Sequence, residues 1–328
     1  MMLLIAESIL SFMEVRLMQV ESANLDLLTG LKVRKPGVEM TIVTQVGPRI
    51  AELMAPGGPN ILFWDPDGFK SARKRGEWFL RGGHRVWTTQ PGADECEGTY
   101  AVDNEQCKVE RDGDAGNVSR LVITGAEHPV FNIRRSLVVV DNGLECSVDV
   151  INRVTNTGDM LWSGGLWGLT CTNPEGCTYF IPLPTQKPPS GWSPFTVRFF
   201  PNWAGHTSPF PNPQLVWTEK FLVINPQGIE TKVAIEVPAG WIGCYGPHVN
   251  FYKMVAYDQR IIDRCPNGTN IAFYIGPKNF MVEMEVMGPC VTLRPGETLE
   301  LRERWVLLPP CAPENVDSGQ LDTFKEGL

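Results

Sequence analysis

Histidine is scarce in this chain, with four in 328 residues, and none sits in a spacing that puts imidazole to familiar use. No HxxxH or HExxH pair occurs, so a protein-bound zinc has little support. A GxSxG nucleophile elbow, a P-loop and a dinucleotide-type GxGxxG are also missing. The nine cysteines are odd in number and scattered, without CxxC spacing, and read as reduced thiols. Basic charge is in short supply too: 29 Lys and Arg against 37 Asp and Glu give a net charge of -8. Clusters such as Arg73-Lys74-Arg75 have acidic neighbours, so no basic stripe is available to displace counterions from a nucleic acid. Local arginines can still outweigh that global charge for an anionic small molecule.

Long apolar runs are absent as well. Met1 to Phe12 is apolar but short, Glu7 interrupts it, and no basic residue precedes it. It is a poor signal peptide and too short to cross a bilayer. It reads as a short amphipathic helix or an extension ahead of a start at Met13, and the expectation is a cytoplasmic protein with no membrane partner. Hydrophobic content of 43% and charged content of 20% describe a globular chain with ample core.

Helical periodicity is nearly absent away from the two ends, and strand-turn-strand patterning takes its place. Arg135 to Val140, the turn Asp141-Asn142-Gly143 and the alternating run Leu144 to Ile151 predict a hairpin. The same reading gives a second hairpin (Phe221 to Ile224 with Ile229 to Val237), a third (Val291 to Leu293 with Thr298 to Leu308) and a fourth within Cys107 to Gly125. Closely spaced antiparallel strands without intervening helices predict two packed sheets or a barrel. The interval Asn173 to Trp217 is crowded with prolines and aromatics, so little of it can be central sheet; it reads as a wall or lid over a site, or a rigid structural loop. The chain divides into an N-terminal extension with first strands (1–37), one β domain (38–308) and a polar tail (309–328) that wraps or frays.

The most informative stretch is Phe280 to Met287. With a two-residue period it puts Val282, Met284 and Val286 on one face and Glu283 and Glu285 on the other, the two carboxylates roughly 7 Å apart along the strand. Lining a cleft, that face is a general-base platform; facing water, it is a solvated edge. The second notable segment is Arg81-Gly82-Gly83-His84-Arg85-Val86-Trp87. Two glycines permit close backbone approach or positive φ, beside donors (Arg81, His84, Arg85) and a flat apolar face (Trp87) suited to a sugar or an anion. A further tryptophan, Trp167, lies near the Gly164-Gly165 pair. His248 follows another glycine-punctuated bend, His128 reads as structural, and His206 falls in the proline-rich interval.

These residues carry a resemblance. Pro48 to Leu53, Asn60-Ile61-Leu62 and the RGGHRVW turn, together with Phe280 to Pro289, Leu293 to Glu297 and Glu303-Arg304-Trp305, resemble the galactose mutarotase-like superfamily over roughly residues 38 to 308. The resemblance implies an all-β antiparallel β-supersandwich with few short helices and a cleft on one concave sheet. There a glutamate takes the anomeric hydroxyl proton while a histidine protonates the ring oxygen. The glutamate falls on Glu285 or Glu283. The family's mid-chain histidine has no counterpart in Trp162 to Thr170, which leaves His84 or His248 to replace it, with His248 the candidate acid. His84, Arg85, Arg81, Trp87 and Trp167 are the candidate substrate contacts. The expected partner is a small-molecule carbohydrate, with no cofactor and no metal. The function implied is a carbohydrate-binding, mutarotase-like isomerase; the alternatives are a non-catalytic carbohydrate binder, or another carbohydrate-active chemistry such as a lyase on the same fold.

Overall fold

The computed structural model describes residues 17–65, 80–89, 102–114, 117–184, 195–203, 206–311, 315 and 318–328. The Met1 to Phe12 segment, the Arg73-Lys74-Arg75 cluster and parts of the proline-rich interval (185–194 and 204–205) lie outside the described residues.

In chain order the strands begin β1 (Gln19–Leu25), β2 (Leu28–Lys35), β3 (Val38–Val43), β4 (Arg49–Met54), β5 (His84–Thr89), β6 (Lys108–Asp114), β7 (Asn117–Glu127) and β8 (Ile133–Val140). They continue as β9 (Ser147–Asn156), β10 (Trp162–Thr172), β11 (Thr178–Pro182), β12 (Val197–Phe199), β13 (Asn202–Trp203), β14 (His206–Thr207), β15 (Leu215–Trp217) and β16 (Phe221–Ile224). The rest are β17 (Thr231–Ile235), β18 (Trp241–Tyr245), β19 (Asn250–Val255), β20 (Ile271–Ile275), β21 (Val282–Met287), β22 (Val291–Leu293) and β23 (Thr298–Leu308). One sheet of 11 strands runs β1-β2-β3-β4-β5-β10-β21-β20-β17-β12, with β22 joined to β10. A second sheet of 10 strands runs β15-β16-β11-β18-β19-β23-β9-β8-β7-β6. Helix among the described residues is limited to short 3-10 segments. The all-β antiparallel architecture is the one expected from the sequence.

Alternation explains why these strands stack as two layers. Val282, Met284 and Val286 of β21 enter one large core with Val148, Val150 and Val154 of β9 and Leu301, Trp305 and Leu307 of β23. Removing that much aliphatic surface from water is the main stabilisation, at about 25 cal/mol per Å² of apolar area. The tail is docked, with Leu321 fully buried beside Phe180 and Trp241. Arg304 donates to the carbonyls of Phe324 and Glu326, so the segment wraps.

The hairpins divide. The β6/β7 pair forms as expected, and so does β8/β9, although β9 begins only at Ser147 because Asp141 to Cys146 make a longer connection. The second expected hairpin does not form: β16 pairs with β11 and β15 in one sheet, while β17 pairs with β12 and β20 in the other. The third separates likewise, β22 onto β10 and β23 onto β9 and β19. In both cases a glycine-bearing turn carries the chain from one layer to the other, and apolar alternation is identical whichever layer a strand joins.

The glycine pair of the RGGHRVW segment is required by backbone. Gly82 and Gly83 have φ of 85° and 68°, and a Cβ on them would lie 2.1 Å from the Phe63 carbonyl oxygen and 2.3 Å from that of Ile50. The close approach is to the chain's own backbone.

Candidate functional site

Strand parity places the carboxylates. With Val282, Met284 and Val286 in the core between the sheets, Glu283 and Glu285 take the outer face of the 11-stranded sheet. The registers extend this into rows. Arg85, Leu169, Glu285, Ala272 and Ala234 form one across β5, β10, β21, β20 and β17. Trp87, Trp167 and Met287 form the next, and Cys171, Glu283, Tyr274 and Lys232 the one on the other side.

Glu285 is fully buried. Its Oε2 accepts from the Trp167 indole Nε1 at 2.8 Å, and the Lys232 ammonium lies 3.7 Å from the same oxygen. Lys232 also sits over the Trp167 ring, 4.6 Å from its centroid, which shields the charge with a π face. Two small residues, Ala234 and Ala272, leave a hollow of about 20 Å³ beside this carboxylate, flanked by Phe200 and Lys232. That is room for about one water molecule. A carboxylate so held can accept a proton from a hydroxyl in the hollow, and the ammonium can neutralise charge that develops there.

Glu283, one pleat away, is engaged differently. Arg85 donates through Nη2 to its Oε1 at 2.8 Å and through Nη1 to Cys171 Sγ at 3.3 Å. Burial opposes the charge on Arg85, but Glu283, with Cys171 and Asp103, raises its pKa above the ordinary value. Burial and Glu283 push the Cys171 thiol up to about 12. Arg85 also covers the Trp87 ring at 4.2 Å, and Trp87 meets Trp167 edge to face at 5.7 Å. Both indoles are buried, so the faces expected to stack on a sugar are occupied by protein cations. Next to Arg85 in the same row, on β4, Arg49 forms a buried ion pair with Asp103 at 2.9 Å that the sequence reading missed. Arg81 donates to Asn104 Oδ1 at 2.9 Å, and burial, with Arg49 nearby, pulls its pKa down to about 10. Among the described residues, no three His, Cys, Asp or Glu side chains converge as a metal site.

No family model matches the chain, and no curated protein matches it in sequence. Solved structures do match. A galactose mutarotase-like protein from Lactobacillus casei aligns at TM-score 0.54 and 12% identity, over 85% of this chain and 99% of that one. Another, from Clostridium acetobutylicum, aligns at TM-score 0.53 and 10% identity, over 89% and 99%. A TPR-domain containing protein from Parabacteroides distasonis aligns at TM-score 0.56 and 14% identity over 88% of this chain; the match spans only 49% of that protein. The fold is galactose mutarotase-like. At such identities the likeness carries the fold alone, and activity has to be argued from the side chains.

Within this galactose mutarotase-like frame, the histidines do not gather where the sequence suggested. His84 alternates with Arg85, so it points into the core when Arg85 points out. The imidazole is fully buried, edge to face on Trp305, with Nδ1 2.8 Å from Thr170 Oγ1 and Nε2 3.0 Å from Asn152 Oδ1. Asn152 spends its amide on Glu303 Oε1 at 2.6 Å, which makes its oxygen the acceptor of the His84 Nε2–H. Burial, reinforced by Lys253, holds the His84 pKa well below the usual histidine value, which keeps the ring neutral near pH 7. Both ring nitrogens are used inside the fold, so His84 is not available to a ligand on the outer face.

His248 lies apart from Glu285. It is exposed in the β18–β19 bend of the other sheet and lines a separate cavity with Asn60, Asn173, Cys177 and Cys244. His128 is structural as read, its Nδ1 accepting from the backbone N–H groups of Val130 and Phe131. The histidine on the carboxylate side is His206. Its Nδ1 is 2.8 Å from Glu230 Oε1, which also accepts from Tyr274 Oη at 2.7 Å, and its ring stacks on Trp203. Tyr274 is the direct strand partner of Glu283. Lys232, Tyr274 and Glu230 were missed by the sequence reading, although a lone lysine and a small alanine opposite Val233 and Ile235 in β17 mark the outward side of that strand.

Proposed function

We propose that this is a carbohydrate-binding, mutarotase-like protein in which Glu285 is the general base. The observation that carries the reading is the contrast between the two carboxylates: Glu283 is taken by Arg85, whereas Glu285 borders the hollow with Trp167 and Lys232. Glu285 would take the proton from the anomeric hydroxyl of an aldose, the C1–O5 bond would break, and the ring oxygen would receive a proton. The proton donor assigned to that step is His206, held by Glu230 beside Tyr274, the strand partner of Glu283. After rotation about C1–C2 the O5 hydroxyl adds back to C1, returning its proton to His206, while Glu285 returns its proton to the C1 oxygen, which gives the other anomer. A pyranose needs more room than one water, so Phe200 and Lys232 have to swing aside to admit it.

The mid-chain strand β10 holds no histidine, which favours a second reading in which the sugar is bound without turnover. Exchange NMR separates the two. With added glucose, galactose and their uronates or phosphates, anomer exchange faster than in buffer is expected. Saturable tryptophan quenching with exchange at the buffer rate would replace the enzyme reading by the binding one.

A further inference from the structure

A second cavity lies away from the Glu285 hollow, and the proposed function leaves it without a role. It holds about 380 Å³ and opens between the Asn173–Cys177 connection, the β18–β19 bend and the Pro59–Ile61 segment. Two of its lining residues are thiols: Cys177, immediately before β11, and Cys244 on β18, which pairs with β11. Tyr179 of β11 pairs with Cys244 of β18, so Cys177, two residues before Tyr179, projects from the same face as Cys244, diagonally across the ladder. Gly246 stands opposite Cys177, and a Cβ there would come 3.3 Å from the Cys177 sulfur; a larger residue would crowd the thiol.

We propose that Cys177 and Cys244 form a reversible thiol–disulfide site that takes small-molecule disulfides entering this cavity. Cys177 Sγ donates to the Glu175 carbonyl at 3.6 Å, and Cys244 sits opposite Tyr179 in the ladder, whose hydroxyl lies 2.8 Å from Thr172 Oγ1. Roles follow from position. Cys177 is only partly buried and is the accessible sulfur, while Cys244 is buried beneath it. The neighbouring Cys244 draws the Cys177 thiol below its ordinary value, and Cys177 together with burial raises Cys244. An attacking thiol needs thiolate character and access, and a resolving thiol needs proximity.

The chemistry balances without a metal or a cofactor. The Cys177 thiolate attacks one sulfur of a disulfide R–S–S–R, forming Cys177–S–S–R and releasing R–S⁻. Cys244, deprotonated as it reacts, attacks the Cys177 sulfur and expels the second R–S⁻. The protein loses two electrons and two protons, and the small disulfide is reduced to two R–SH, which carry those protons away.

The test uses the full chain and oxidised glutathione, followed by alkylation and peptide mapping, with near-UV circular dichroism confirming that each variant is folded. A Cys177–Cys244 linkage that dithiothreitol reverses is expected in the unchanged chain. Cys244→Ser should stop at a glutathione adduct on Cys177, and Cys177→Ser should give neither product. Retention of an alkylatable Cys177 in the unchanged chain, or glutathione accumulating on Cys290 or Cys311 while Cys177 in the Cys244→Ser protein stays free, would overturn the assignment. Anomer exchange is read separately, so failure here leaves the Glu285 reading untouched.

Discussion

Lys253 crosses from the 10-stranded sheet and donates through Nζ to the carbonyl oxygen of Met284, the residue between Glu283 and Glu285, at 2.9 Å. The same ammonium donates to the Gly168 carbonyl at 3.0 Å and lies 3.2 Å from Glu303 Oε2. Its three N–H groups thus tie β10 and β21 to the opposite layer, beside the buried chain of His84, Asn152 and Glu303. Gly168 makes this possible, since a Cβ there would sit 2.1 Å from Glu303 Oε1. The strand that carries both carboxylates is positioned from behind.

Removing that ammonium should be expensive. Burial lowers the Lys253 pKa, and Glu303 opposes that shift only in part. Lys253→Met strands the Glu303 carboxylate in the core, and a loss of about 3–5 kcal/mol is expected in urea unfolding. A double replacement that also makes Glu303 leucine should recover a large part of it. If Lys253→Met unfolds at the unchanged midpoint with an unchanged slope, the ammonium contributes nothing to the packing of the two sheets.

Stability should also fall in mild acid. His84 is neutral in the fold, with a pKa well below the model-peptide 6.5, so below pH 6.5 the unfolded chain binds a proton that the native chain refuses. Its contribution is complete above that pH and declines as the pH drops, by up to about 1.4 kcal/mol per pH unit from this group. His84→Gln should flatten the dependence of unfolding free energy between pH 6.5 and the native pKa, at the cost of lower stability throughout. An identical pH slope in both proteins would remove His84 as its source.

Gly83→Ala is expected to destabilise through backbone rather than through any ligand contact. Both the positive φ and the 2.3 Å approach to the Ile50 carbonyl forbid a Cβ without a shift of β4 or β5. A fall in melting temperature with ligand affinity retained by the folded fraction is the anticipated pattern; weakened binding at full stability would mean the glycine serves the site itself.

Much of the architecture was legible because strand alternation is a local property. The division of Val282, Met284 and Val286 from Glu283 and Glu285 could be read from six letters, and it holds. The same rule, applied to His84-Arg85-Val86-Trp87, separates His84 and Val86 from Arg85 and Trp87, and would have sent the imidazole to the core. What periodicity cannot supply is the layer a strand joins. That is why β16 and β17, or β22 and β23, read as hairpins although they lie in different sheets. Partner identity across long separations was equally hidden: nothing near Glu285 in sequence announces Lys232 or Trp167, and the Arg49–Asp103 pair joins residues with no shared motif.

The account rests on Glu285 acting as the base, and a comparison of Glu285→Gln with Glu283→Gln by anomer-exchange NMR tests it most directly. The unchanged chain should accelerate exchange of a responsive aldose, and Glu285→Gln should lose that acceleration by at least about 100-fold while keeping its melting temperature within a few degrees. Glu283→Gln should instead lower stability, because the buried Arg85 loses its carboxylate. Undiminished exchange in folded Glu285→Gln would contradict the assignment.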